Sequence, residues 1–179
     1  LESAASKNIA LDGYGIRYRY GLFRQTFVNG YQHEEGDDWL KWGDPWSVRV
    51  ERDALTVKFA DLQVRAVPYD MPVFGYRNGV VNTLRLWQSE PVQPFDFAAF
   101  NEMRGEIKAT ENFNATKITD VLYPNDNTMV GKILRLRQQY FLVSASLQDI
   151  VRKFKATGKC LKRLPEKWCF QLNDTHPVI

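Results

Sequence analysis

Asp174 and His176 stand two positions apart, directly after the short apolar run Trp168-Cys169-Phe170-Gln171-Leu172. That run reads as a buried strand. Open α/β sheets bind their ligands beyond the carboxyl ends of strands, so two ionisable side chains placed there can point into one cleft. An Asx turn from Asn173 or Asp174, helping the chain leave the sheet, explains the same spacing equally well. A second polar group is Tyr123-Pro124-Asn125-Asp126-Asn127. Its two amides and one carboxylate match sugar hydroxyls, each of which both donates and accepts. Ordinary turns share that composition.

Other clusters are weaker. Glu34, Glu35, Asp37 and Asp38 form an acidic run whose order indicates an exposed segment, not a pair of carboxylates flanking one glycosidic bond. His33 beside Glu34 gives no metal site, since the chain has only 2 histidines. Gly13-Tyr14-Gly15-Ile16-Arg17-Tyr18 is not a dinucleotide loop: Tyr18 occupies the position where the third glycine is required. Glycines at a strand end or tight turn beside packed aromatics are expected instead. The indoles of Trp39, Trp42 and Trp46 could stack on sugar, but a loop of this kind is expected to pin itself to the core through buried Trp.

The elements that must position these groups follow from periodicity. A helix end is expected within residues 1–12. Strand alternation covers 55–59, 62–67 and 80–87, the last after Asn78-Gly79, which predicts an antiparallel β subdomain with a hairpin. Asp70 and Pro72 are expected to close one strand, Pro91 and Pro94 the next. A helix is expected over 95–107. The longest helical pattern, 132–155, should bury one broad apolar face. With 179 residues, 44% of them hydrophobic, the chain is sized for one domain of α/β class.

Composition excludes several function classes. The net charge of +3 comes largely from Arg152, Lys153, Lys155, Lys159, Lys162, Arg163 and Lys167. No aromatic platform is interleaved with them, so a solvated helix end and loop is expected and not a nucleic-acid surface. Cys160 and Cys169 have neither metal nor redox spacing and read as free thiols of a reducing compartment. No apolar run reaches the ~18 residues of a membrane span, and the first residues lack a signal-peptide core. A cytoplasmic protein is expected.

A set of short strings, in order, carries a resemblance. They are Gly13-Tyr14-Gly15-Ile16-Arg17-Tyr18, Asp37-Asp38-Trp39, Gly43-Asp44-Pro45-Trp46, Pro68-Tyr69-Asp70, Gly75-Tyr76-Arg77-Asn78, Leu84-Arg85-Leu86-Trp87, Leu122-Tyr123-Pro124-Asn125-Asp126-Asn127, Leu134-Arg135-Leu136 and Gln171-Leu172-Asn173-Asp174-Thr175-His176-Pro177. Together they resemble the α-glucan phosphorylase family across essentially the whole chain. Asp44 departs from the family, which more often has asparagine there.

The resemblance implies a GT-B-like glycosyltransferase of two α/β domains around a cleft, with residues 1–179 an internal piece of the N-terminal domain, truncated at both ends. It implies cleavage of α-1,4-glucan by orthophosphate to glucose 1-phosphate, with pyridoxal phosphate held mainly by a C-terminal domain absent from this chain. No cofactor and no catalytic residue are then expected within these residues, and the piece alone should be inactive. By the same comparison Asn127 bonds a glucose hydroxyl from a gate loop, Asp126 sits beside it, Arg135 supports the gate, and Asp174 and His176 line the sugar pocket. Arg152 and Lys153 match two effector-phosphate arginines of animal members. Lys153 loses bidentate recognition, and Thr128 replaces an inhibitor-site aromatic, so animal-type allosteric control is not expected. The parent is expected to be a homodimer acting on glucan and phosphate, with no nucleic acid or membrane partner. The alternative is a non-catalytic glucan-binding or scaffolding protein.

Overall fold

The computed structural model describes residues 1–93, 112–122 and 124–171. The helix expected over 95–107, Tyr123, Asp174 and His176 lie outside the described residues. The chain divides into two compact units, Leu1–Ser146 and Leu147–Ile179.

The first unit is built on a mixed sheet. Its strands are β1 (Gly13–Ile16), β4 (Val48–Arg49), β5 (Leu55–Lys58), β6 (Gln63–Phe74) and β7 (Val81–Pro91). The order is β1-β7-β6-β4, with β5 also pairing β6. A short helix α1 (Glu2–Ser6) precedes β1, a second, α2, covers 112–117, and the long α3 (Met129–Ala156) follows.

The spine of the sheet is the antiparallel β6–β7 hairpin, in register from Val64↔Pro91 to Phe74↔Val81. Its turn uses the Asn-Gly signal: Gly79 takes a φ of 70°, which costs a residue without Cβ little. Asn78 Oδ1 accepts the Val80 N–H at 3.1 Å, and Gly75 N–H closes the loop on the Val80 carbonyl at 2.8 Å. The expected antiparallel hairpin is therefore present. What makes the sheet mixed is β1, which pairs parallel to β7 from Gly13↔Leu84 to Ile16↔Trp87.

β6 does not close at Asp70 and Pro72 but continues to Phe74. The reason is parity. The Pro68 carbonyl accepts the Val50 N–H at 2.9 Å, on the side away from β7. Backbone groups of alternate residues point to the same side of a strand. The missing N–H groups of Pro68 and Pro72 therefore both face that edge, and the ladder to β7 loses nothing. β7 does end at Pro91, as expected.

Val57, Val64, Ala66 and Trp87 from the sheet pack with Ala115, Ile118, Phe141 and Ala145 into one core cluster. Trp87, fully buried, donates its indole N–H to Ser146 Oγ at 3.2 Å, so its polar edge is satisfied as well as its ring. Arg85, on β7, is buried and grips Asp70 with two 2.7 Å bonds and Asp53 with one of 2.9 Å. That fork clamps the β6–β7 pair at Asp70↔Arg85.

β2 (Arg24–Val28) and β3 (Tyr31–Glu35) form a separate ribbon that pairs only with itself. Asn29 and Gly30 turn it with φ of 53° and 83°, both positive as a two-residue hairpin turn requires. Nine of its ten strand residues are exposed, including the acidic pair Glu34 and Glu35, so this part of the acidic run is exposed as expected.

α3 starts at Met129, three residues before the expected 132. Thr128 extends it, its Oγ1 accepting the Gly131 N–H at 3.2 Å as an N-cap. Within the first unit its buried face is narrower than the apolar pattern predicts. Gly131, Gln138, Phe141, Ala145 and Ser146 are buried, while Ile133, Leu136 and Tyr140 remain 45%, 65% and 50% exposed. Gln138 occupies the stripe because its amide donates to the carbonyls of Ile118 and Val121 at 3.1 and 2.8 Å. It thereby ties down the turn after α2.

In the second unit α3 ends at Ala156, and Gly158 takes a φ of 70° beyond it. A 3-10 turn over Leu161–Glu166 follows. The basic residues of the helix end and loop are exposed except Lys153, which is half-buried. Residues 168–171 are neither a strand nor buried, and Phe170 is 45% exposed, contrary to the expected buried strand. A strand needs a neighbour for its backbone groups, and among the described residues none pairs with these.

Candidate functional site

Residues 124–127 form a ledge on the first turn of α3. Asn125 Oδ1 accepts the Asn127 N–H at 2.9 Å, an Asx turn that fixes the direction in which the Asn127 side chain leaves the backbone. Thr128 then caps the helix. Gly131 is buried where a Cβ would collide with the backbone carbonyl of Asn125; the loop lies on the helix at a point where only hydrogen fits. One turn on, Arg135 Nη1 stands 3.5 Å from Asp126 Oδ2. Asp126 is partly and Asn127 largely exposed. The structure thus brings Asn127, Asp126 and Arg135 together on one ledge, with its backbone held by an Asx turn, a cap and a close contact.

Arg152 and Lys153 belong to the second unit. Both converge on Asp149, which is fully buried: Arg152 Nη2 lies 2.6 Å from Oδ1 and Lys153 Nζ 3.0 Å from Oδ2. Their charges partner an internal carboxylate, an arrangement that i, i+3 and i, i+4 spacing on one helix makes possible. Asp174 and His176 lie outside the described residues.

A group not anticipated from the sequence surrounds Arg17. Its Nη1 donates to Gln88 Oε1 at 2.8 Å and its Nη2 to Asp44 Oδ2 at 3.1 Å. The guanidinium lies 4.1 Å from the Tyr69 ring centroid and 5.3 Å from that of Trp39. Burial alone would raise the Asp44 carboxyl. Hydrogen bonds from the Ser47 hydroxyl, the Trp46 backbone N–H and Arg17 outweigh it and hold the carboxyl below its ordinary value. No local pattern signals a pair separated by 27 residues. The only hint was Asp44 itself, a carboxylate where an amide is usual.

The tryptophan loop differs from expectation. Trp39 does anchor it, donating its indole N–H to the Tyr18 carbonyl at 2.9 Å, but Trp42 and Trp46 are 89% and 73% exposed. The loop is held by the buried Asp44 carboxylate at its centre, so its indoles are not needed as anchors. Among the described residues no group of three His, Cys, Asp or Glu could hold a metal ion. None of their helices is long and apolar enough to cross a membrane.

A mixed sheet backed by a long helix, with a polar ledge at the N-terminus of that helix, defines an α/β protein with a braced surface loop. A family model described as carbohydrate phosphorylase matches residues 1–179, and the chain belongs to that family. It is 45% identical over 202 aligned residues to human glycogen phosphorylase, brain form, covering 100% of this chain and 24% of that relative. It is 46% identical, with the same coverage, to sheep glycogen phosphorylase, muscle form. The chain thus spans about a quarter of the length of these curated relatives.

Proposed function

We propose that this chain is part of the N-terminal domain of an α-glucan phosphorylase, a two-domain GT-B-like enzyme. The whole protein cleaves α-1,4-glucan with orthophosphate and releases glucose 1-phosphate. The observation that carries this reading is the match of residues 1–179 to the carbohydrate phosphorylase family, with about 45% identity to glycogen phosphorylases along the whole chain.

In this reading Asn127 donates to and accepts from a glucosyl hydroxyl, and Asp126 keeps the ledge in place through Arg135. Asp174 and His176 complete the sugar pocket. The supporting geometry is the Asx turn and cap around Asn127, which fix its backbone before any ligand arrives. Pyridoxal phosphate is the family's cofactor and would supply a phosphate group for proton relay. Each described lysine is exposed or half-buried, so none of these fits the buried lysine a covalently held cofactor needs; in this reading its attachment lies outside the described residues. The 179 residues alone then carry out no phosphorolysis. The whole protein is a cytoplasmic homodimer in this proposal. Arg152 and Lys153 both pair with Asp149, and with lysine in place of the second arginine animal-type effector control is not part of this reading.

The test is phosphate-dependent release of glucose 1-phosphate from maltoheptaose by the full-length protein. Activity that falls roughly tenfold or more in Asn127→Ala, with unchanged thermal stability, supports the reading. Glucan binding without any phosphorolysis would favour the non-catalytic alternative.

A further inference from the structure

The loop that carries Asn127 has both of its feet on one helix. Its C-terminal foot is the start of α3, where Thr128 Oγ1 accepts the Gly131 N–H and the Asn125 carbonyl lies against Gly131. Its N-terminal foot is the turn after α2, held by Gln138, which is only 5% exposed. The Gln138 amide donates to the Ile118 carbonyl at 3.1 Å and to the Val121 carbonyl at 2.8 Å. Gly131 and Gln138 lie two turns apart on α3, about 10 Å along its axis. One rigid rod therefore sets the span that residues 122–127 must bridge.

The other side of that turn is held as well. The Arg19 N–H donates to the Thr119 carbonyl and the Tyr20 N–H to the Asp120 carbonyl, both at 2.9 Å, and Tyr20 pairs parallel with Val121. The carbonyls of Ile118 and Val121 thus face α3, and those of Thr119 and Asp120 face the chain after β1. On the α3 side the grip is the Gln138 amide. A primary amide carries two N–H donors in one fixed plane, so Gln138 sets where the turn sits along the helix as well as holding it there. A polar side chain in the stripe of Phe141 and Ala145 costs stability unless such bonds are made; an apolar one would fill the space and leave the position of the turn undefined. We propose that Gln138 is a positioning residue for the glucan site. It touches no substrate and acts by holding the first foot of the loop, which sets where Asp126 and Asn127 stand.

The inference rests on the reading of Asn127 as a sugar contact. The experiment is a double-mutant cycle in the full-length protein, read as kcat/KM for maltoheptaose at saturating phosphate and well below every thermal midpoint. Gln138→Leu should lower kcat/KM about tenfold. In an Asn127→Ala background the same substitution should cost less than about twofold, because a residue that acts through Asn127 loses its effect with it. Ser146→Ala is the control for stability alone: it removes the acceptor of the Trp87 indole N–H from the same helix and should lower the midpoint with kcat/KM unchanged. Should Gln138→Leu not fold, Gln138→His, which keeps an N–H donor, should fold and show a smaller loss with the same non-additivity. Full kcat/KM in Gln138→Leu, a loss that multiplies with that of Asn127→Ala, or an equal loss in Ser146→Ala would overturn the proposal. Unchanged kcat/KM in Asn127→Ala alone would overturn the sugar-contact reading and this inference with it, an outcome that the Asn127 arm reveals separately.

Discussion

The guanidinium of Arg17 and the carboxylate of Asp44 form an ion pair of 3.1 Å in which the two side chains are only 8% and 5% exposed. It joins the end of β1 to the loop that precedes β4. Stripping one partner from such a pair leaves an uncompensated charge in a dry setting and costs about 3–5 kcal/mol. Asp44→Ala and Arg17→Ala should each lower the thermal transition of the full-length protein by several degrees. Asp44→Asn keeps an acceptor for the Trp46 and Ser47 N–H groups and should lose markedly less. Equal losses in Ala and Asn variants would mean that charge, not hydrogen bonding, holds the loop.

Two carboxyls give stability opposite slopes with pH. Asp44 has its folded pKa below the ordinary 3.8, so its contribution is complete above that value and disappears as pH falls through the folded pKa. Asp120 is pushed up by burial, which Arg19 and Lys117 only partly offset. Its folded form takes a proton first on acidification, so it destabilises at neutral pH and this penalty lifts as pH falls through its folded pKa. Melting curves between about pH 3 and 6 should therefore show Asp120→Asn more stable than the parent at the upper end, the gap closing on acidification. Asp44→Asn should show the reverse order, less stable at the upper end and converging below.

Gly131→Ala separates the ledge from the fold. Alanine favours a helix interior over glycine by about 1 kcal/mol, yet its Cβ would strike the Asn125 carbonyl and push the loop off the helix. The expected result is turnover reduced roughly tenfold with little change in melting temperature. A variant with full activity would show that the ledge need not rest on the helix.

Gln138→Leu tests the polar member of the α3 stripe. The substitution is close to isosteric but strips the partner from the Ile118 and Val121 carbonyls, each worth about 1–3 kcal/mol if left buried and unpaired. Loss of stability is expected despite the more hydrophobic residue, and it would be read as a lower thermal midpoint. An unchanged or raised midpoint would show that water replaces the amide without cost.

Local signals carried much of this fold. The alternation on either side of Asn78-Gly79 marked β6 and β7, and the three-and-four spacing marked α3, because each pattern reports one element's own period. Partnerships between distant segments left no such trace. Nothing in Gly13-Tyr14-Gly15-Ile16 says that it runs parallel to Leu84-Arg85-Leu86-Trp87, and the prolines of β6 looked terminal because the side that their missing N–H faces depends on β4. The breadth of the α3 face was overread since apolar residues such as Leu136 sit outside the stripe that the sheet covers. At the site, composition and resemblance pointed to Asn127, Asp126 and Arg135. Gly131 gave no warning, for a glycine near a helix start has several uses and only the loop above it shows which applies. Arg17 lay inside a recognised string, but its role depends on Asp44, Tyr69 and Gln88, none of them its neighbour in sequence.

The β2–β3 ribbon carries no core of its own, and two strands alone are marginal in water. Its opening need not disturb the Trp87 cluster, so its amides should exchange through small local fluctuations long before those of β6. A protease should find the Asn29-Gly30 tip first. Of all the described elements, this ribbon is where evolution or an engineer can lengthen, cut or label the chain at the lowest thermodynamic risk.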